Sequence, residues 1–260
     1  MNRSVLVSIV GLALFLAAFA RPAAAQPPPL RVLSSNGMKA VVEALEPQLA
    51  RAAGRMLEVE FATTAAIRQR IEAGERFDVT ILAADAVAAL GEHGKLAAGT
   101  IEPLARAGVG VGVRAGAPHP DLSTPESWAR ALRGAKSVTW VGVGAARPHI
   151  ERMLETVGAA EAVRSKTLPA ASVDEALDNV ASGKADLLLT LISEILPARG
   201  IEYAGPLPNG VQGYVSFAAG VGASSTMSSA GARFIDALRA PTAAAVYEAK
   251  GMELAPIERE

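Results

Sequence analysis

The chain has 260 residues, half of them hydrophobic and one fifth charged, which allows one large core or two modest ones and excludes intrinsic disorder. Its 25 Lys and Arg are matched by 26 Asp and Glu, so no global field draws it to nucleic acid or to an anionic membrane. There is no cysteine, which excludes disulfides, thiolate chemistry and Cys-based metal sites; the three histidines, His93, His119 and His149, lack metal-ligand spacing.

Arg3, an apolar run over residues 5–20, and the small residues Ala23 and Ala25 before Gln26 read as a secretory signal peptide of residues 1–25, cut after Ala25. The bland alternative is a retained anchor, but the run falls short of the ~20 residues that span a bilayer comfortably. Cleavage would leave 23 basic residues against 26 acidic, a formal charge of −3. No later segment looks transmembrane and no Cys is present for a lipid anchor, so the mature chain is expected to be soluble.

After a Pro27-Pro28-Pro29 leader the sequence alternates β-like runs with amphipathic helices, the pattern of an α/β fold with mostly parallel strands. Residues 30–34 predict a strand. A helix follows, with Met38, Val41, Val42, Leu45, Leu49 and Ala52 at 3.6-residue spacing and Gly54 at its end. A strand over 57–62 leads to a helix capped by Thr63 or Thr64 and running through Ile67 and Ile71; a strand over 77–83 and a helix over 85–92, capped by Asp85, complete a β-α-β-α-β-α unit. Residues 107–114 predict a crossing strand. Thr124-Pro125 opens a helix with a hydroxyl cap and a proline at the first helical position. A strand over 137–143 turns at 144–146 into a helix bearing Ile150, Met153, Leu154 and Val157. Ser172-Val173-Asp174-Glu175 is a capping box. A buried strand over 186–190 and a second crossing strand over 211–219 precede a helical tail from about 228 to 248, divided at Pro241.

Laid out in this way, the chain resembles the periplasmic solute-binding proteins of ABC transporters, specifically the molybdate-binding-protein-like family. The resemblance runs from Leu30 to the end. It is carried by Val32-Leu33-Ser34-Ser35-Asn36-Gly37-Met38, by Phe61-Ala62-Thr63-Thr64-Ala65-Ala66-Ile67 with Phe77-Asp78-Val79, by Ala171 to Leu177 with Val180 to Asp186, and by the Phe234-Ile235, Pro241 and Gly251 pattern. It implies two α/β lobes joined by hinge strands, with a ligand cleft between them: residues 26–106 plus 215–260 in lobe one, and 107–214 in lobe two with the crossing strands. It also implies a periplasmic, monomeric, non-enzymatic protein that needs no cofactor, whose partners are a small anionic solute and an inner-membrane ABC permease. Two serines that hold the oxyanion in the family fall here at Gly37 and Ala65. Both hydroxyls are missing, which disfavours molybdate and tungstate, although Ser35, Asn36 and Thr64 stand close enough in sequence to substitute. The family's later contacts map onto Ala145 or Ala146, Val173 and Tyr214.

The physical case is that four helices start just after strands, near Asn36, Thr64, Ala145 and Ser172, each with unpartnered N–H groups and a partial positive charge. Ser34, Ser35, Asn36 and Gly37 supply hydroxyls, an amide and a close-approach glycine, or else form an ordinary strand–helix turn. Thr63, Thr64 and Ala65 are a ligand contact or a plain cap, and so are Ser172 and Val173. Arg147 is poorly placed for its own helix dipole, so either a ligand carboxylate takes its fork or it is solvated. Tyr214 contacts ligand or packs in the hinge, and Thr190 follows a buried strand. The candidate ligand set is therefore Ser34, Ser35, Asn36, Gly37, Thr63, Thr64, Ala65, Ala145, Ala146, Arg147, Ser172, Val173, Thr190 and Tyr214, with no catalytic and no metal residue. Capture of an organic carboxylate or oxyanion for an ABC importer is the leading reading; a molybdate-binding protein proper and a ligand sensor for a membrane receptor are the alternatives. For an enzyme, Asp78, Asp85, His93 and His149 show no spacing that ties them together, and the P-loop, dinucleotide, zincin and nucleophile-elbow motifs are absent.

Overall fold

The computed structural model describes residues 27–255, so the expected signal peptide and its cleavage point lie outside the described residues. β1 (Leu30–Ser35) passes through a 3-10 turn (Asn36–Met38) into α1 (Lys39–Ala53), followed by β2 (Leu57–Ala62), α2 (Thr64–Glu72), β3 (Val79–Ala83) and α3 (Ala84–Glu92). Next come β4 (Glu102–Arg114), α4 (Pro125–Gly134), β5 (Val138–Val141), α5 (Arg147–Thr156), α6 (Ala160–Arg164), β6 (Thr167–Ala170), α7 (Val173–Ala181), β7 (Leu187–Leu191), α8 (Ile192–Ile195) and β8 (Ile201–Pro206). The chain ends with β9 (Tyr214–Val221), α9 (Ser228–Arg239), a 3-10 turn (Pro241–Ala243), α10 (Ala244–Ala249) and β10 (Met252–Leu254).

The local signals act as their chemistry requires. α1 buries Val41, Val42, Leu45 and Leu49 on one stripe, each such side chain contributing about 1.5–3 kcal/mol on burial. It ends where Gly54 turns left-handed at φ 65°, a conformation glycine adopts without a Cβ clash. Thr124 caps α4 by accepting the Ser127 N–H at 3.1 Å. Ser172 caps α7 by accepting the Glu175 N–H at 3.2 Å, while the Glu175 carboxylate reaches back to the Ala171 N–H at 2.7 Å. Asp85 departs from expectation: the cap position of α3 is Ala83, and Asp85, one residue into the helix, accepts the adjacent Ala86 N–H at 2.9 Å.

Among the described residues the strands join in the order β2-β1-β3-β9-β4-β7-β5-β6, with β8 and β10 also on β4. β1 runs parallel to β2 and β3, and β5 parallel to β6 and β7, the register of two crossover units. β4 joins these halves. Its residues up to Gly108 pair with β9 and β10, and from Val109 onward it pairs with β7 and β8. β4 begins five residues earlier than periodicity suggested, because a register shift between Pro103 and Ala105 accommodates a proline inside the strand. The C-terminal segment returns to the first half: α9 packs on α1, and Arg233 donates to the terminal carbonyls of Ala52 and Ala53 at 3.0 and 2.9 Å.

One short helix forms a seam between the halves. α8 lies over β4 at Gly110, where an added Cβ would come within 2.8 Å of Ile192 and 2.9 Å of Tyr203. On its far side Ser193 Oγ donates to the Gly37 carbonyl at 2.8 Å, a buried bond between residues 156 positions apart.

Candidate functional site

The helix starts anticipated from sequence are distributed over two pockets, both lined from the two halves of the sheet. The larger, about 610 Å³, lies between the starts of α2 and α3 on one side and the start of α5 on the other, with Tyr214, Val215 and Ser216 of β9 as its wall. Thr64, Ala65, Ala145 and Tyr214 of the sequence-derived set line it. Thr64 Oγ1 accepts the Ala83 N–H at 3.3 Å, tying the start of α2 to the end of β3, and Thr63 Oγ1 accepts the Ala66 N–H at 3.2 Å as the cap of α2. Ala146 is buried in the core beside them.

The further polar and charged side chains that line this pocket include Arg68, Gln69, Glu72, Asp85, His149 and Arg152. Arg68 is held by Glu72 at 2.8 Å. Arg152, exposed on α5, has no ion-pair or hydrogen-bond partner for its guanidinium among the described residues, although the carboxylates of Glu72 and Asp85 line the same pocket. Burial pushes the His149 imidazole below its usual range, and the Arg152 charge adds to this while Asp85 opposes it. The ring packs against Gly213, where a Cβ would meet His149 Cβ at 2.5 Å. None of Arg68, Gln69, His149 and Arg152 is in the sequence-derived set; the signal that marks His149 and Arg152 is periodicity on the other side of the helix. Ala145, His149 and Arg152 recur at four- and three-residue spacing, opposite the apolar stripe of Ile150, Met153 and Leu154, as Ala65 and Gln69 do on α2.

Arg147 lies outside the lining. Its Nε donates to Glu151 at 2.7 Å and its Nη1 to the Gly142 carbonyl at 2.9 Å, so its fork is spent within its own segment. Tyr214 is 41% exposed, with the Arg106 guanidinium 4.5 Å from its ring centre. Arg106 is itself fixed by Glu253 through bonds of 2.9 and 2.6 Å.

The smaller pocket, about 310 Å³, is lined by Asn36, Lys39 and Phe61 from the first half and by Val173, Ser193 and Glu194 from the second. Ser34 and Ser35 are buried behind it, the Ser34 hydroxyl donating to its neighbour's carbonyl at 3.3 Å. Gly37 is enclosed by Phe217 and Leu191. Ser172 is occupied by its capping bond. Thr190 is buried and donates its hydroxyl to the Glu194 carboxyl, which also accepts the Leu191 N–H at 3.4 Å. Although the Glu194 residue keeps some solvent contact through the pocket, the protein packed around its carboxyl pushes it above the usual carboxylate range. Among the described residues no His, Asp and Glu cluster has the makings of a metal site, and no helix is long and apolar enough to cross a membrane.

An aconitate isomerase of Pseudomonas sp is 27% identical over 245 residues, covering 90% of this chain and 92% of that protein. The periplasmic molybdate-binding protein of Azotobacter vinelandii superimposes with a TM-score of 0.74 at 18% identity, over 87% of this chain and 100% of that one. Campylobacter jejuni PEB3 bound to L-phospholactate does so with a TM-score of 0.65 at 16% identity, over 86% and 99%. The periplasmic binding protein architecture is thus shared across dissimilar sequences. A family model described as bacterial extracellular solute-binding protein matches residues 30–253, and the chain belongs to that family.

Proposed function

We propose that this protein captures a small organic polycarboxylate in the larger pocket and delivers it in the periplasm to an inner-membrane ABC permease. The observation that carries this reading is the meeting of three helix starts, from α2, α3 and α5, with the unpartnered guanidinium of Arg152 in one space contributed by both halves. Helix N-termini and an arginine fork are the ordinary recognition elements for carboxylates. Thr64, Ala65, Ala145, Tyr214, Arg68, Gln69 and Arg152 are the proposed contacts. Lobes of 26–106 plus 215–260 and of 107–214 close on the ligand by bending where β4 and β9 cross, and residues 1–25 are the export signal, removed after Ala25. A pocket of about 610 Å³ suits a multi-branched acid better than a compact tetrahedral oxyanion. The surroundings of Gly37, filled by Phe217 and Leu191, argue against molybdate held as the resemblance implied.

A thermal-shift panel tests this. Ligand at a hundred times its Kd stabilises by about 2.7 kcal/mol, roughly 5–10 °C for a chain of this size. Di- and tricarboxylates are expected to give such shifts, and molybdate, tungstate and sulfate none. Stabilisation by molybdate with no carboxylate response would replace this reading with the oxyanion one.

A second reading is favoured by a specific pair of observations: the Pseudomonas relative is an aconitate isomerase, and an imidazole stands in the proposed carboxylate pocket. On this reading the bound acid is unsaturated and is isomerised before release.

A further inference from the structure

We infer that His149 is the group that moves the proton when an unsaturated polycarboxylate is isomerised in the larger pocket. This rests on the isomerase reading. His149 sits in the first turn of α5, one helical turn before Arg152, and lines the pocket together with Asp85, Arg68, Glu72 and Tyr214. Neither ring nitrogen has a hydrogen-bond partner among the described residues; Nδ1 lies on the edge packed against Gly213, which leaves Nε2 to meet a ligand. Close packing on Gly213 fixes the position of the side chain. Burial and Arg152 keep the imidazole neutral at pH 7, the form that accepts a proton. Tyr214 and Asp85 are less suited to proton transfer, since Tyr214 lies under Arg106 and Asp85 is engaged with the Ala86 N–H.

The chemistry needs no co-reactant. In an unsaturated tricarboxylate such as aconitate, the imidazole takes a proton from the methylene carbon next to the C=C bond. The electron pair of that C–H bond becomes a new C=C bond, and the pair of the old C=C bond takes the proton back from the imidazolium at the far carbon. One C–H bond breaks, one forms, and the double bond moves by one position, which interconverts the trans and cis skeletons without oxidation or reduction. Negative charge spreads onto the carboxylates during the transfer, and Arg152 with the starts of α2 and α5 is placed to stabilise it.

The experiment follows the full mature chain with trans-aconitate in D2O by proton NMR, alongside calorimetric binding. The wild type is expected to wash deuterium into the ligand and to form the cis isomer. His149→Gln and His149→Ala are expected to keep aconitate affinity within about threefold while losing exchange at least ~100-fold, the usual contribution of a positioned acid–base group. Two variants guard against one that misfolds, since retained binding reports the fold. Wild-type isomerisation that both variants retain would overturn the role of His149 and leave the isomerase reading standing. Binding by the wild type with neither exchange nor isomerisation would overturn the isomerase reading and this inference together, leaving carboxylate capture intact. Absence of aconitate binding by the wild type would remove all of them.

Discussion

The two pockets are built from the same kinds of parts and differ in which of those parts are already satisfied. Both are walled by helix starts from opposite halves of the sheet. In the smaller one Ser193 is spent on the Gly37 carbonyl and Glu194 on Thr190 and the Leu191 N–H, while Asn36 and Asp174 at its rim have no side-chain partner among the described residues. In the larger one neither the Arg152 guanidinium nor the His149 ring has a hydrogen-bond partner among the described residues. A polar group satisfied in the empty protein has little to gain from a ligand, whereas an unsatisfied one beside three helix starts gains a charge-assisted bond. Polar residues at helix starts therefore do not by themselves mark a binding site; their bonding state does. On this view the smaller pocket is a seam that sets how the halves meet, and the larger one is the receptor.

The sharpest way to break this comparison is to remove the unsatisfied charge. Arg152→Ala is expected to weaken polycarboxylate binding by about 1.5–3 kcal/mol, roughly 10- to 100-fold by calorimetry, with little change in the melting temperature of the unliganded protein. Arg147→Ala, on the same helix but already bonded to Glu151 and Gly142, is the matched control and is expected to leave affinity unchanged. Equal losses from the two would show that α5 contributes general field rather than a specific contact.

Removing space from the seam comes next in size. An added Cβ at Gly37 would lie 2.5 Å from Phe217 Cζ and 2.8 Å from Leu191 Cδ1. Both atoms are the ends of side chains, yet each side chain is packed in the core, so Gly37→Ala is expected to cost about 1–3 kcal/mol in urea denaturation. Under the seam interpretation carboxylate affinity survives at concentrations where the protein is folded. A loss of affinity much larger than the loss of stability would move Gly37 from the seam to the ligand.

Most of the fold was visible in the sequence because long amphipathic helices and buried strands carry their own periodicity, as α1 does with Val41, Val42, Leu45 and Leu49. The pieces that were not visible are short: α6, α8, β6, β8 and β10 hold three to six residues each, too few to show a period. α8 is the costliest omission, since it carries Ser193 to the Gly37 carbonyl and Glu194 to Thr190. The candidate site was legible as positions and obscure as chemistry. Thr64, Ala65 and Ala145 were placed by the rule that ligands gather where helices follow strands, and Tyr214 by the family resemblance. His149 and Arg152 were harder to see because the apolar stripe of their helix carries the periodic signal and they lie on its complement. Arg147 stood out because its position suits its helix dipole poorly, and Glu151 together with the Gly142 carbonyl resolves that locally.

The smallest expected effect concerns the carboxyl under the seam. Burial raises Glu194 above its usual range, while the bonds from Thr190 and Leu191 pull it partway back. A carboxyl that binds its proton more tightly in the folded chain than in the unfolded one adds stability at low pH. That contribution fades as pH rises from about the unfolded value of 4.5 through the raised folded value. Glu194→Gln removes the titration but keeps the shape, since its carbonyl can stand where Oε2 accepts both the Thr190 hydroxyl and the Leu191 N–H. The variant is expected to match the wild type within about 1 kcal/mol at pH 5 and to gain on it at pH 8, read as the shift in urea midpoint between the two conditions. Charged Lys39 and Asp174 line the same pocket and are unchanged by the substitution, so a difference that grows with pH reports Glu194 itself. A gap constant from pH 5 to 8 would mean that the carboxyl ionises freely in the folded protein, and that the smaller pocket is as open to solvent and ligand as the larger.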